Sequence, residues 1–242
     1  MSSLRNIVYV AFLSLIYFSA VDAKPIARRA TSSLKLPSNV QPRSPQLTNT
    51  GPSSLPSPPS NLTLKHVTVG HGIQNYTCSS NLTAAPTALG AIATLYDVTP
   101  LAFLSSTTSS AIPALAAFLP LTNALVPNAP LTISGLGSFP ILGFHFFDAK
   151  GTPIFDLNTV GERLASKKAG DIKAPSNASV GLDGTGAVDW LFLTSTGDAG
   201  STGLGAVYRV DTAGGNPPTS CEGFAAGDVI SVPYSAGYHF YG

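Results

Sequence analysis

Ile141-Leu142-Gly143-Phe144-His145-Phe146-Phe147, then Asp148-Ala149-Lys150-Gly151, then Thr152-Pro153-Ile154-Phe155-Asp156-Leu157 reads as a β-hairpin. Apolar and aromatic runs flank a turn that starts on Asp and ends on Gly, the order that suits a type I turn with a left-handed last residue. Pro153 has no N–H to give a ladder, so the return strand lies at an edge or begins there.

Downstream, a loop is expected over Gly161 to Gly186. The runs Ala187 to Thr194, Leu204 to Thr212, Asp228 to Val232 and Tyr238 to Tyr241 read as further strands between Gly-rich turns. Upstream, Gly90 to Asp97 alternates as a strand. From Ser105 to Pro130, Ile112, Leu115, Phe118, Leu119 and Leu125 recur partly at helical spacing, interrupted by Pro113, Pro120, Pro127 and Pro130. Proline ends or kinks helices, so this stretch is expected to give one short helical segment packed on the sheet. Leu64 to Val69 and Ile73 to Cys78 read as two strands broken by Gly70-His71-Gly72. In the second, the two-residue period puts Gln74, Tyr76 and Cys78 on one face and Asn75 on the other. Many short strands and a minor helix indicate a mostly β fold: a single antiparallel β-sandwich or barrel domain over residues 63–242.

The residues before that domain have other compositions. Residues 30–62 spread Pro37, Pro42, Pro45, Pro52, Pro56, Pro58 and Pro59 among Ser, Thr, Asn and Gln, which predicts a disordered linker, either a flexible arm or an O-glycosylated stalk. Residues 24–29 read as a pro-segment ending in the dibasic pair Arg28-Arg29, with processing after Arg29. In residues 1–23, Arg5 precedes an apolar run from Ile7 to Ala20 and a small-residue site ending at Ala23, the pattern of a signal peptide. The run is about 14 residues, short of the roughly 20 that a spanning helix needs, and no membrane anchor is expected.

Export sets the chemistry of the two cysteines and of the sequons. Cys78 and Cys221 are the only cysteines, and in an oxidising compartment they are most simply one disulfide, with two buried thiols as the alternative. Closing a loop of that length stabilises by about 4–5 kcal/mol in the chain-entropy model. Asn61, Asn75, Asn81 and Asn177 each head an Asn-x-Ser/Thr sequon, so glycosylation is expected. The net charge is +1, and loss of residues 1–29 makes it slightly negative, which argues against a nucleic-acid partner.

Signatures of common enzymes are missing. Gly135-Leu136-Gly137 runs into Ser138-Phe139-Pro140 and Gly203-Leu204-Gly205 opens a strand, so neither has the helix a dinucleotide site needs. There is no Gly-x-Ser-x-Gly elbow, Walker loop or His-Glu-x-x-His motif, and no cofactor is expected. Two constellations remain as candidates. His66, His71 and His145 could supply three imidazoles to a metal. His145 beside Asp148 and Asp156 could form a carboxylate-oriented acid–base pair, although Asp148 also suits the turn. Phe144, Phe146, Phe147, Phe155 and Trp190, with the closing Tyr234, Tyr238, Phe240 and Tyr241, could line a sugar-binding groove or equally be core; Trp190 reads as core, and the terminal Tyr234, Tyr238, His239 and Tyr241 are the better candidates for an exposed platform.

The segments Gly72 to Cys78, Gly143 to Leu157, Asp189 to Leu193, Tyr208 to Gly215 continuing to Cys221, and Val232 to Tyr241 resemble the secreted fungal and bacterial proteins grouped as domain of unknown function 3455. The dibasic pro-segment is similar to the fungal branch. The resemblance implies export and a β-rich domain and carries no established catalytic residues. Some fungal members bear the label malate dehydrogenase. Here the nucleotide fingerprint is missing, and only Arg43, Arg163 and Arg209 remain after processing to clamp a dicarboxylate. The expected function is a non-catalytic, secreted or cell-wall-associated binding or surface protein whose partner is wall or host polysaccharide. The alternatives are a secreted hydrolase acting on such polymers and a carbohydrate-binding module.

Overall fold

The computed structural model describes residues 44–47, 54–121 and 129–242. The processing positions Ala23 and Arg29 and residues 30–43 of the proline-rich segment lie outside them. Along the chain run β1 (Leu64–Thr77), β2 (Thr87–Asp97), α1 (Thr99–Leu104), α2 (Ser106–Ala116), β3 (Leu131–Ile133), β4 (Gly137–Phe139), β5 (Ile141–Phe147), β6 (Pro153–Leu157), β7 (Glu162–Ile172), β8 (Trp190–Ser195), β9 (Ala206–Gly214) and β10 (Val229–Tyr241). Eight strands close into an antiparallel barrel in the order β1-β10-β9-β8-β7-β6-β5-β2, and β3 and β4 form a small hairpin of their own. The fold is thus a β-barrel domain with two short helices.

The central hairpin forms as its residues dictate. Phe147 pairs with Pro153, and β6 meets β7 only from Ile154 onward, so the missing proline N–H falls where no ladder bond is needed. The Asp148 carboxylate closes the turn by accepting from the N–H groups of Lys150 (2.9 Å) and Thr152 (2.8 Å).

Strand boundaries differ from the sequence reading in three places. Gly70-His71-Gly72 is no turn: β1 runs unbroken through it, paired with β10 and β2. These glycines instead make room, since a β-carbon on Gly70 would stand 2.5 Å from Tyr238 Cε2 and one on Gly72 would overlap the Ile92 carbonyl. The two C-terminal runs are one strand, β10, which crosses Pro233 because pairing with β9 starts only at Tyr234. The first half of the expected 161–186 loop is β7, whose exposed Lys167 and Lys168 dilute the apolar signal while Leu164 is buried. The helical stretch also begins earlier, at Thr99, and residues 122–128 lie outside the described part.

An eight-stranded barrel is just wide enough to be filled by side chains. Phe155, Tyr234, Tyr238, Phe240 and Leu164 fill this one, against Ala91, Ala93 and Ala236. A second core lies outside the wall, where α1, α2 and the β3–β4 hairpin cover Val67, Val69 and Tyr96. A third gathers Trp190, Tyr208 and Tyr241 beneath Leu55. Leu55 is 3% exposed and the Tyr208 hydroxyl donates to the Pro56 carbonyl (2.9 Å), so residues 54–62 of the proline-rich segment lie on the barrel wall. Apolar anchors spaced along it, Leu55 and Leu62, hold it there despite its composition.

Cys78 and Cys221 form a disulfide with Cα atoms 5.7 Å apart. It ties the end of β1 to the loop that enters β10. At the opposite end of the barrel, Glu162 at the start of β7 accepts from Lys65 Nζ (2.6 Å) and His66 Nε2 (3.0 Å) of β1. Since β1 and β7 face each other in the strand order, this ion pair spans the barrel mouth.

Candidate functional site

The histidine and carboxylate candidates do not converge. His145 points into the barrel, where its ring stacks on Phe155 at 4.2 Å and Nδ1 donates to the Ile154 carbonyl (2.8 Å). Burial lowers its pKa to about 4, against the raising effect of that bond. Asp156 follows Phe155 on the strand and so faces outward, where Arg163 Nη1 donates to it (3.0 Å). Asp148 is spent on its turn. His66 binds Glu162, and His71 is buried on β1 between Thr94 and Ser235 with its pKa lowered to about 4 by burial. Among the described residues no three metal-ligating side chains stand together. The C-terminal aromatics form no exposed platform either: Tyr234, Tyr238, His239, Phe240 and Tyr241 are all buried, because β10 is flanked on both sides inside a closed wall.

A different residue stands out, and it lies in β9. Between Ser235 and Gly237 of β10 the register with β9 slips, so that Ala236 faces both Asp211 and Thr212. One type of bulge puts its first residue in the left-handed region, ordinarily a glycine. Asp211 takes that place at φ 50°, and among the described residues it is the one non-glycine with positive φ. Asp tolerates that backbone better than most residues, and an outlier of this kind makes the position a candidate for function.

The bulge turns Asp211 toward a groove of about 270 Å³ on the outer wall. Ser110 and Ala114 of α2 form one side, the turn Pro175–Ser179 forms the other, and Trp190, Asp211 and Thr212 form the floor. Local sequence explains the helix wall: the Ser105 hydroxyl caps α2 by accepting from the Thr108 N–H (3.2 Å), which orients Ser109 and Ser110 in its first turns. Burial raises the Asp211 carboxyl to about 6, opposed by a hydrogen bond from the Ser110 hydroxyl. No Lys, Arg or His pairs with Asp211 among the described residues. The Trp190 indole N–H is buried without a hydrogen-bond partner among the described residues, whereas Thr212 Oγ1 donates to the Val188 carbonyl (2.6 Å).

The sequence reading passed over Asp211. One signal was available: an acid between Val210 and Thr212 in a strand of β formers, where Asp is ordinarily depleted. Ser110 and the 175–179 turn had no signal, since tertiary packing alone brings them to Asp211.

A second groove, of about 240 Å³, lies where β2 and β5 separate beyond Ala93 and His145. Leu89, Ile92, Phe146, Phe147 and Val229 make it apolar. It holds no titratable group.

Comparison with curated proteins and with solved structures finds no match for this chain. The model of one protein family does match, over residues 58–242, which takes in the whole barrel, the disulfide and the Asp211 groove. By that match the chain belongs to the family described as protein of unknown function (DUF3455).

Proposed function

We propose that this is a secreted, glycosylated, wall-associated protein that acts by binding, and that the Asp211 groove holds a hydroxyl-rich ligand of the polysaccharide class. The observation that carries the reading is a carboxylate with no cation partner among the described residues, held by a left-handed bulge on the floor of a groove lined by Ser110, Ser179 and Asn177. Such a carboxylate is a strong acceptor for ligand hydroxyls, and the neighbouring hydroxyls and amide supply donors and acceptors at the rim. Ala114, Pro175 and Ala178 add the apolar surface that a sugar ring face needs. Export is supported by the signal-peptide pattern of residues 1–23 and by the Cys78–Cys221 disulfide.

A secreted hydrolase is the second reading, favoured by the burial of Asp211 in the groove floor, which raises its carboxyl toward the range of a general acid. Glycoside hydrolysis ordinarily uses a pair of carboxylates, and Asp211 is the one carboxylate that lines the groove. Binding is therefore preferred.

A glycan array that includes soluble wall oligosaccharides, probed with the deglycosylated protein and with Asp211→Asn, tests the reading. Binding by the former and its loss in the latter are expected. A flat array, or full binding by Asp211→Asn, sinks it. Fractionation of the producing cells tests location, and protein confined to the cytosol refutes export.

A further inference from the structure

One wall of the Asp211 groove is itself a glycosylation sequon. Asn177, Ala178 and Ser179 line the groove opposite Ser110 and Ala114. Asn177 is exposed, at the tip of a turn closed by the Ala178 N–H donating to the Pro175 carbonyl (2.9 Å). That turn is fastened to the end of β9, because the Ser179 carbonyl accepts from the Gly214 N–H (2.9 Å). The wall therefore holds its place, and a sugar on Asn177 Nδ2 begins at the groove's rim.

Among the described grooves, the other sequons have no such seat. Asn61 and Asn81 are exposed on turns and line none of the described grooves. Asn75 lies in β1 with its side-chain amide Oδ1 accepting from Ser231 Oγ (2.7 Å), beside the apolar groove of Leu89, Ile92 and Phe147. Asn177 alone among the four combines exposure with a groove that contains a carboxylate, hydroxyls and apolar surface.

We infer that Asn177 carries an N-linked glycan whose proximal N-acetylglucosamine occupies the Asp211 groove, so that the modified chain is capped and the unmodified chain is open to ligand. In this arrangement Asp211 and Ser110 bond the ring hydroxyls, and Ala114, Pro175 and Ala178 face the acetamido methyl. Attachment requires a lipid-pyrophosphate-linked oligosaccharide as donor. Asn177 Nδ2 attacks the anomeric carbon, the C–N bond forms as the anomeric C–O bond breaks, the amide proton passes to a base, and the lipid pyrophosphate departs. The capping of ligand binding rests on the reading of the groove as a carbohydrate site, whereas the seating of the sugar does not.

The test uses the full chain secreted from a eukaryotic host, its Asn177→Gln variant, which keeps an amide at the groove's rim, and the unsubstituted full chain made in the periplasm of a bacterial host that attaches no N-glycan. Peptide mass spectrometry reads occupancy at Asn177, and hydrogen exchange reads the amides of 175–179 and 108–114. The glycan array reads ligand binding. Expected are a modified Asn177, faster exchange in both segments when the glycan is absent, and array binding tighter by about tenfold in both glycan-free proteins, because the seated sugar and the ligand compete for one groove. An unmodified Asn177 in the eukaryotic product, or unchanged exchange without the glycan, overturns the inference. Equal array binding with and without the glycan overturns the capping and leaves the groove reading standing. A silent array with slowed exchange in the modified chain refutes the groove's outside ligand and upholds the seated sugar.

Discussion

Gly70 and Tyr238 share one space inside the barrel: a β-carbon on Gly70 would stand 2.5 Å from Tyr238 Cε2 and 3.3 Å from Leu95 Cδ2. Tyr238 is 1% exposed, and its hydroxyl lies 3.0 Å from that of Tyr234. The glycine thus sets how far the tyrosine ring reaches across the interior.

Gly70→Ala should destabilise the fold by about 1–3 kcal/mol, the usual cost of overpacking a filled core. Chemical denaturation measures it. Combining the change with Tyr238→Leu should recover part of the loss, because the clash disappears. Additive losses would show that the two residues do not compete for room.

Asp211 predicts a pH-dependent gain. Its folded carboxyl, near 6, is above the ordinary value, so the folded state binds the proton more tightly than the unfolded chain does. The resulting penalty is absent below about pH 4 and full above about pH 6. Asp211→Asn keeps a side chain that tolerates φ 50° and should stabilise by on the order of 1–3 kcal/mol at pH 7 and by little at pH 3. Asp211→Ala should gain less at pH 7, since alanine adopts the left-handed backbone at a cost of roughly 1–2 kcal/mol. Equal melting temperatures for the wild type and Asp211→Asn at pH 7 would contradict this.

The buried histidines act in the opposite direction. Burial lowers His71, His145 and His239 to about 4, so the unfolded chain takes up protons that the folded one refuses. Their contribution is complete above about pH 6.5 and is lost as pH falls toward 4, by on the order of 1–3 kcal/mol each. Three such groups outweigh Asp211, and unfolding free energy should fall over that window. His145→Phe should flatten the profile, at the expense of the bond to Ile154. A profile that is level from pH 7 to 4 would refute the assignment.

Reducing the Cys78–Cys221 disulfide releases a sequence separation of 143 residues. Loss of about 2–5 kcal/mol is expected, with the loop-entropy model at the upper end. Double substitution to Ser, followed by denaturation, measures it. Because the bond ties one end of the barrel, hydrogen exchange should rise first at the end of β1 and the start of β10.

Much of this architecture is legible in the chain. The Asp148–Gly151 turn announces its hairpin, and the alternation from Gln74 to Cys78 puts the cysteine inward and Asn75 outward, in keeping with a buried Cys78 just past β1 and a half-buried Asn75 within it. Long strands were harder to read. The cues that ordinarily end a strand, Gly70 and Gly72 in β1 and Pro233 in β10, serve tertiary purposes here: Gly70 admits the Tyr238 ring, Gly72 admits the close approach of the β2 backbone at Ile92, and Pro233 sits where its missing N–H faces no partner.

The site was hidden for a related reason. Local pattern reports which face a residue takes, and by that rule His145 and Asp156, near in sequence, fall on opposite sides of the wall. Asp211 escapes the rule because a bulge rotates it out of register, and a bulge depends on how β9 meets β10.

Composition, periodicity and the two cysteines were enough to determine a β-rich domain with one covalent tie, since these depend on alternation along the chain and on how few thiols there are. Closure of eight strands into a barrel, and the meeting of Ser110, Asn177 and Asp211 in one groove, were decided by tertiary structure. Their sequence separations are large, and only the packing of α2 and the 175–179 turn against β9 brings such distant side chains within reach of one ligand.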